Sequence, residues 1–162
     1  MATRLARCLP TESPRGTDVA IYYSGSPAGV RKADMPEGAG RRVSVLLVDD
    51  NGDQRDLYEL LLASEFDVAT ASRGLEAIDL AAARHPDVIV VDIDMPGMNG
   101  FETCRRLKAS PSTQDIPVVM LTGRDYIPDE ARLAGAFAVL EKPCPEPRLV
   151  DTILAAIGGV TG

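Results

Sequence analysis

Four short apolar runs in this chain each stop on a residue able to do chemistry: VLLVDD at 45–50, VIVVD at 88–92, VVMLT at 118–122 and AVLEK at 138–142. β-Branched runs of this length, separated by stretches with helical spacing, read as parallel strands buried on both faces. Parallel strands deliver their last residues to one edge of the sheet. Asp49, Asp50, Asp92, Thr122 and Lys142 are therefore expected to meet there.

Three carboxylates at one edge repel one another, by on the order of 4 kcal/mol per pair at about 4 Å and an effective dielectric of about 20. They call for a cation. An all-oxygen acidic cluster suits Mg²⁺, a hard ion that keeps several waters and takes one or two carboxylates together with a phosphate oxygen. The Thr122 hydroxyl and the Lys142 ammonium add two donors aimed at an anion. Carboxylates, metal, hydroxyl and ammonium together describe a phosphoryl site rather than simply a metal site.

At these residues, and over roughly 42–157, the sequence resembles the receiver domains of two-component response regulators, the CheY-like superfamily. Asp49 and Asp50 match the family's metal-binding acid pair. Asp92, heading the segment DIDMPGMNG three residues before Met-Pro, matches the aspartate that becomes phosphorylated. Thr122 in MLTG matches the switch hydroxyl, and Lys142 in EKP matches the family's lysine, with Lys142-Pro143 a candidate cis peptide. Asp94 is the runner-up for phosphoacceptor, because period-2 alternation puts it on the same side of an extended segment as Asp92. The resemblance instead gives the Asp94 backbone carbonyl to the metal and its side chain to the mouth of the site. Arg124 is a candidate partner for Asp94 there, with a solvated arginine the simpler reading.

Two positions depart from the family pattern. An aromatic residue is usual three positions before the lysine, and this chain has Val139, so the aromatic switch is absent. Gly123 follows the threonine where Ala is common, which leaves the site more open to water and predicts a short-lived phosphoryl group.

The resemblance implies an α/β fold, a three-layer doubly wound (βα)5 flavodoxin-like receiver with parallel strand order 2-1-3-4-5. Strands are expected at 43–49, 67–71, to Asp92, to Thr122 and to Glu141. Helices are expected with Leu57, Leu60 and Leu61 on one face, with Leu75, Ile78 and Ala82 after a Ser72 cap, over 100–108, from about Pro128, and over 146–157. His85-Pro86 should end the second helix, since the residue before proline disfavours the helical region.

Phosphoryl transfer to Asp92 from the phosphohistidine of a histidine kinase or a histidine phosphotransfer protein is the implied activity, with Mg²⁺ as cofactor. Beyond self-catalysed phosphotransfer and autodephosphorylation, no enzyme activity is expected. Output is expected through the surface of the fourth helix, fifth strand and fifth helix, to a separate protein. The rival from another class is an aspartyl-phosphate phosphatase of the haloacid dehalogenase type, whose motifs also read D-x-D, Thr and Lys. Order separates the two: that family's acid pair follows the lysine, whereas Asp49-Asp50 precede D-I-D and no acidic pair follows Lys142.

A composition shift marks the one expected boundary. Residues 1–42 hold four prolines and five glycines and carry a net charge of +3, whereas 43–162 carry −10. Such an extension buries too little apolar surface to offset its ordering entropy and reads as disordered, or as untranslated upstream of Met35. Residues 43–157 are then the receiver and 158–162 a short tail, too little for a helix-turn-helix or a cyclase domain. The charge of the receiver argues against direct contact with DNA phosphates. Lacking an apolar span or a secretory h-region, the chain is expected in the cytoplasm. Cys8, Cys104 and Cys144 suggest three reduced thiols, with neither a disulfide framework nor a zinc site.

Overall fold

Five parallel strands form the centre of the molecule, and the two that are buried throughout lie inside the sheet. The computed structural model describes residues 21–22, 41–123 and 128–158. In chain order the elements are β1 (Ile21–Tyr22), β2 (Ser44–Val48), α1 (Gly52–Leu62), β3 (Asp67–Ala71), α2 (Gly74–Arg84), β4 (Val88–Asp92), α3 (Gly100–Ala109), β5 (Val118–Thr122), α4 (Pro128–Ala134), β6 (Ala138–Glu141) and α5 (Glu146–Gly158). The sheet order is β1-β6-β5-β4-β2-β3. Its five parallel strands thus run 2-1-3-4-5 when counted from β2, as expected. Each residue of β4 and β5 is buried, while the edge strand β3 is only partly so, which matches the two unbroken apolar runs at 88–92 and 118–122.

Period-2 alternation along each strand sends side chains to two separate cores. Leu46, Val48, Ile89, Val91, Met120 and Val139 face one side with Ala77, Phe101, Leu107 and Ala131 from α2, α3 and α4. Val45, Leu47, Val90, Leu121 and Leu140 face the other with Tyr58 and Leu62 from α1 and Leu149 and Ile153 from α5. Both layers are needed to cover a sheet this apolar, and each buried Leu, Ile or Val contributes roughly 1.5–3 kcal/mol.

Three local features differ from the expectations. Leu57 and Leu60 are 53% and 74% exposed, and Tyr58 and Leu62 turn inward in their place. On α2 the buried residues are Gly74, Ala77 and Ala81, whereas Leu75 is 58% exposed, Ala82 is exposed and Ile78 is only partly buried. The cause is close packing: a Cβ at Gly74 would run into Thr103 Oγ1 and Met98 of the neighbouring α3 layer, so α2 presents its small residues there. Ser72 is not the cap of α2. That position is Arg73, and the Ser72 N–H and hydroxyl both donate to Glu76, at 2.8 and 3.0 Å.

The end of α2 falls where the sequence predicts. His85 closes α2 in the left-handed region (φ 47°), its N–H donating to Ala81 O, and Pro86 follows. Asn99 caps α3, its Oδ1 accepting from Glu102 N at 2.9 Å. Cys104 and Cys144 are both buried without a disulfide; Cys104 donates to Ala134 O, and burial pushes its thiol up to about 12.

Of the span 1–42 expected to be disordered, Ile21–Tyr22 pair antiparallel with β6 as a sixth strand, Ile21 opposite Val139 and Tyr22 opposite Ala138, which the sequence reading did not place. The rest of that span up to 40, Cys8 included, and 159–162 lie outside the described residues. Among the described residues no helix is long and apolar enough to cross a membrane.

Candidate functional site

The carboxyl edge of the sheet collects the ends of the buried strands. Asp49 follows β2, Asp92 ends β4, Thr122 ends β5 and Lys142 follows β6. Asp49, Asp92 and Thr122 are buried, at 1%, 5% and 5% exposure, while Asp50 stands exposed at the rim. One carboxylate oxygen from each of Asp49, Asp50 and Asp92 lies within 4.8 Å of the others, an all-oxygen donor set able to hold a metal ion. Two of the three are out of water and one faces it, so the cluster is open on one side.

Lys142 closes the edge. Its Nζ lies 3.0 Å from Asp49 Oδ2 and 3.2 Å from Asp92 Oδ1, and its main-chain N–H donates to Thr122 O at 2.7 Å. The ends of β5 and β6 are thereby tied together at the site. The Lys142-Pro143 peptide is cis. Asp94, partly buried, donates its N–H to Asp92 Oδ1 at 3.3 Å, which marks it as a neighbour that shapes the Asp92 carboxylate.

Burial is the main force on Asp92 and raises its pKa; the Asp49 charge adds to the rise and Lys142 opposes it. For Lys142 burial works to lower the pKa. The hydrogen bond to Asp49 and the charges of Asp92 and Asp49 outweigh it, and the net direction is up. The ammonium is thus held charged between two carboxylates, and burial works against the ionised form of Asp92.

Two departures from the family pattern have structural counterparts. Val139 is buried on the face of α3 and α4, a β-branched side chain at the position where an aromatic one would turn. Gly123 is exposed, and a Cβ there would meet nothing within 4 Å. Arg124 lies outside the described residues.

Several residues at the site were not singled out from sequence. Gln54 Oε1 accepts from Lys142 Nζ at 2.7 Å, the shortest contact the ammonium makes. Asn51 caps α1, accepting from Gln54 N through Oδ1 and donating its own N–H to Asp49 Oδ1 at 2.8 Å. Arg55 donates to Asp49 O at 2.8 Å. The first turn of α1 therefore belongs to the site, and the signal for it is a capping Asn directly after the acid pair. Gly100 is the other omission: a Cβ there would stand 2.6 Å from Asp92 O and 2.8 Å from Ile93 Cα. Only glycine lets α3 start against the end of β4.

The family model of the response regulator receiver domain matches residues 45–154. The chain belongs to that family. This receiver is similar to the polar-differentiation response regulators DivK of Brucella ovis and of Brucella anthropi, each 36% identical over 118 residues covering 71% of this chain and 96% of DivK. Among solved structures it is similar to the chemotaxis protein CheY4 of Vibrio cholerae, 31% identical with a TM-score of 0.67 over 71% of this chain and 98% of that one. It is also similar to the receiver domain of the Pseudomonas aeruginosa sensor histidine kinase PA1611, 26% identical with a TM-score of 0.67 over 72% and 98%. That structure has a magnesium ion coordinated in its active-site cleft. As a receiver, the chain is a signalling component of a two-component system rather than an enzyme that turns over a separate substrate.

Proposed function

We propose that Asp92 accepts a phosphoryl group from the phosphohistidine of a histidine kinase or a histidine phosphotransfer protein. One observation carries this reading: the Lys142 ammonium stands between two buried carboxylates, within 3.2 Å of both, at the end of a parallel sheet. A buried carboxylate beside a fixed ammonium is a nucleophile with its charge neutraliser already in place. An Asp92 oxygen forms the new bond to phosphorus as the phosphorus–nitrogen bond of the donor breaks and the imidazole leaves with its electron pair.

Asp49, Asp50 and Asp92, with the backbone carbonyl of Asp94, would hold a Mg²⁺ ion, and the hard-oxygen donor set fits that cation. When bound, Mg²⁺ supplies charge neutralisation for the equatorial phosphoryl oxygens. Lys142 binds the same oxygens from the other side, and Thr122 and Gly123 at the end of β5 line the space the group enters. Because Lys142 N–H is bonded to Thr122 O, movement of the β5 end is passed to β6. The surface of α4, β6 and α5 is then the output, read by a separate protein. The same reading puts the chain in the cytoplasm, where phosphohistidine donors are made.

Beryllium trifluoride, an acyl-phosphate mimic, tests the reading by amide NMR with Mg²⁺ present. Resonances around Asp92, Thr122 and Lys142 are expected to shift in the wild type and to stay fixed in Asp92→Asn. Unmoved resonances in the wild type would refute it.

A further inference from the structure

An ammonium carries three protons and no acceptor, so its orientation is set only when three acceptors surround it. Lys142 Nζ has three: Gln54 Oε1 at 2.7 Å, Asp49 Oδ2 at 3.0 Å and Asp92 Oδ1 at 3.2 Å. Two are the acids of the site already described. The third, and the nearest, is a neutral amide from the first turn of α1.

Gln54 is itself held in place. Its main-chain N–H donates to Asn51 Oδ1 at 3.2 Å, and Asn51 N–H donates to Asp49 Oδ1 at 2.8 Å, so the backbone from which the Gln54 side chain reaches Lys142 is registered against the same acid that Lys142 binds. A lysine side chain is a point charge on a flexible four-carbon stem, and two carboxylates alone leave it free to turn about their axis. A third acceptor removes that freedom. Being neutral, Gln54 does so without adding a fourth negative charge beside an incoming phosphoryl group.

We propose that Gln54 is a positioning residue for phosphoryl transfer, fixing the Lys142 ammonium so that the N–H it gives to Asp92 Oδ1 turns onto a phosphoryl oxygen as the bond forms. This role rests on the phosphoacceptor reading of Asp92. With acetyl phosphate as donor, an Asp92 oxygen bonds to phosphorus while the bridging oxygen–phosphorus bond breaks and acetate leaves. Lys142 exchanges one carboxylate acceptor for a phosphoryl oxygen, and its bonds to Gln54 and Asp49 persist.

The test uses the full chain as wild type, Gln54→Leu, Gln54→Glu and Asp92→Asn. Two quantities are read: the phosphorylation rate with acetyl phosphate across a Mg²⁺ titration, by phosphate-affinity gel, and the ¹⁵N signal of the Lys142 ammonium. Gln54→Leu is expected to slow phosphorylation about tenfold, as loss of one hydrogen bond to a charged group implies, with half-saturating Mg²⁺ unchanged and the Lys142 signal displaced. Gln54→Glu is expected to be slower still, since a fourth carboxylate competes with the phosphoryl group for the ammonium. Gln54 is exposed, so both variants keep the fold, and a wild-type amide spectrum away from the site checks this. A wild-type rate and an unmoved Lys142 signal in Gln54→Leu would overturn the role of Gln54 while leaving Asp92 as phosphoacceptor. A wild-type chain that takes no phosphoryl group would overturn the phosphoacceptor reading and the Gln54 role with it.

Discussion

The two edges of the same parallel sheet use charged residues in opposite ways. At the amino edge, Asp87 accepts from Ser44 N at 2.8 Å, from Ser44 Oγ at 3.0 Å and from Arg41 at 2.7 Å, while Lys108 gives its ammonium to Ile116 O at 2.6 Å and Gln114 O at 3.1 Å. Charges there meet neutral backbone or a single opposite charge, and they staple loops to strand starts. At the carboxyl edge three carboxylates cluster and two of them, Asp49 and Asp92, share the Lys142 ammonium, so that among the described residues the cluster holds more carboxylates than the one ammonium paired with it. Satisfied polar groups stabilise; an unbalanced cluster is held by the surrounding fold and is available for ligands.

Changing one residue at each edge separates these roles. The largest effect is expected for Asp92→Asn, which should abolish phosphorylation by acetyl phosphate. It should also raise the melting temperature at pH 7 without divalent cations. The sign follows from the raised pKa of Asp92: the folded state holds that proton more tightly than the unfolded chain, so wild-type stability declines as pH rises through the folded value. Thermal scans from pH 7 down to the ordinary carboxylate range should show the difference between variant and wild type shrinking. An unchanged gap would mean that the Asp92 charge is not costly.

Next in size is Asp87→Ala. It leaves the half-buried Ser44 N–H without its carboxylate and should cost about 1–3 kcal/mol in urea unfolding. The phosphorylation rate at Asp92 should stay at the wild-type value, and a fall in that rate would show the two edges to be coupled. The smallest effect is expected at Gly123. Its φ is not in the left-handed region and a Cβ would meet nothing within 4 Å, so Gly123→Ala should fold normally. It should lengthen the phosphoryl lifetime by about threefold, under 1 kcal/mol of barrier, by narrowing the approach of water. A lifetime equal to the wild type would show that this opening is not the water's route.

How far the sequence could be read differs along the same lines. Strand ends at Asp92, Thr122 and Glu141 were legible because a run buried on both faces must stop where its polar residue meets the edge. The acids and Lys142 were legible for the same reason. Helix faces were less so: α1 has apolar residues at 57, 58, 60, 61 and 62, a stripe too wide to say which of them turns in. On α2 an alanine at a close approach is worth more than a leucine, and only the neighbouring helix reveals that. Gln54 was not legible because a polar residue in a first helical turn ordinarily faces water; its partner is 88 residues away and is brought there by the fold. The pairing of Ile21–Tyr22 with β6 lacked any signal in a segment rich in proline and glycine.

The most direct test of the central claim is to locate the acyl phosphate. The chain is incubated with acetyl phosphate and Mg²⁺, reduced with borohydride, digested and sequenced by mass spectrometry. Reduction confined to Asp92, with Asp49, Asp50 and Asp94 intact, is the predicted result. Reduction at Asp94, or at no aspartate, would contradict it.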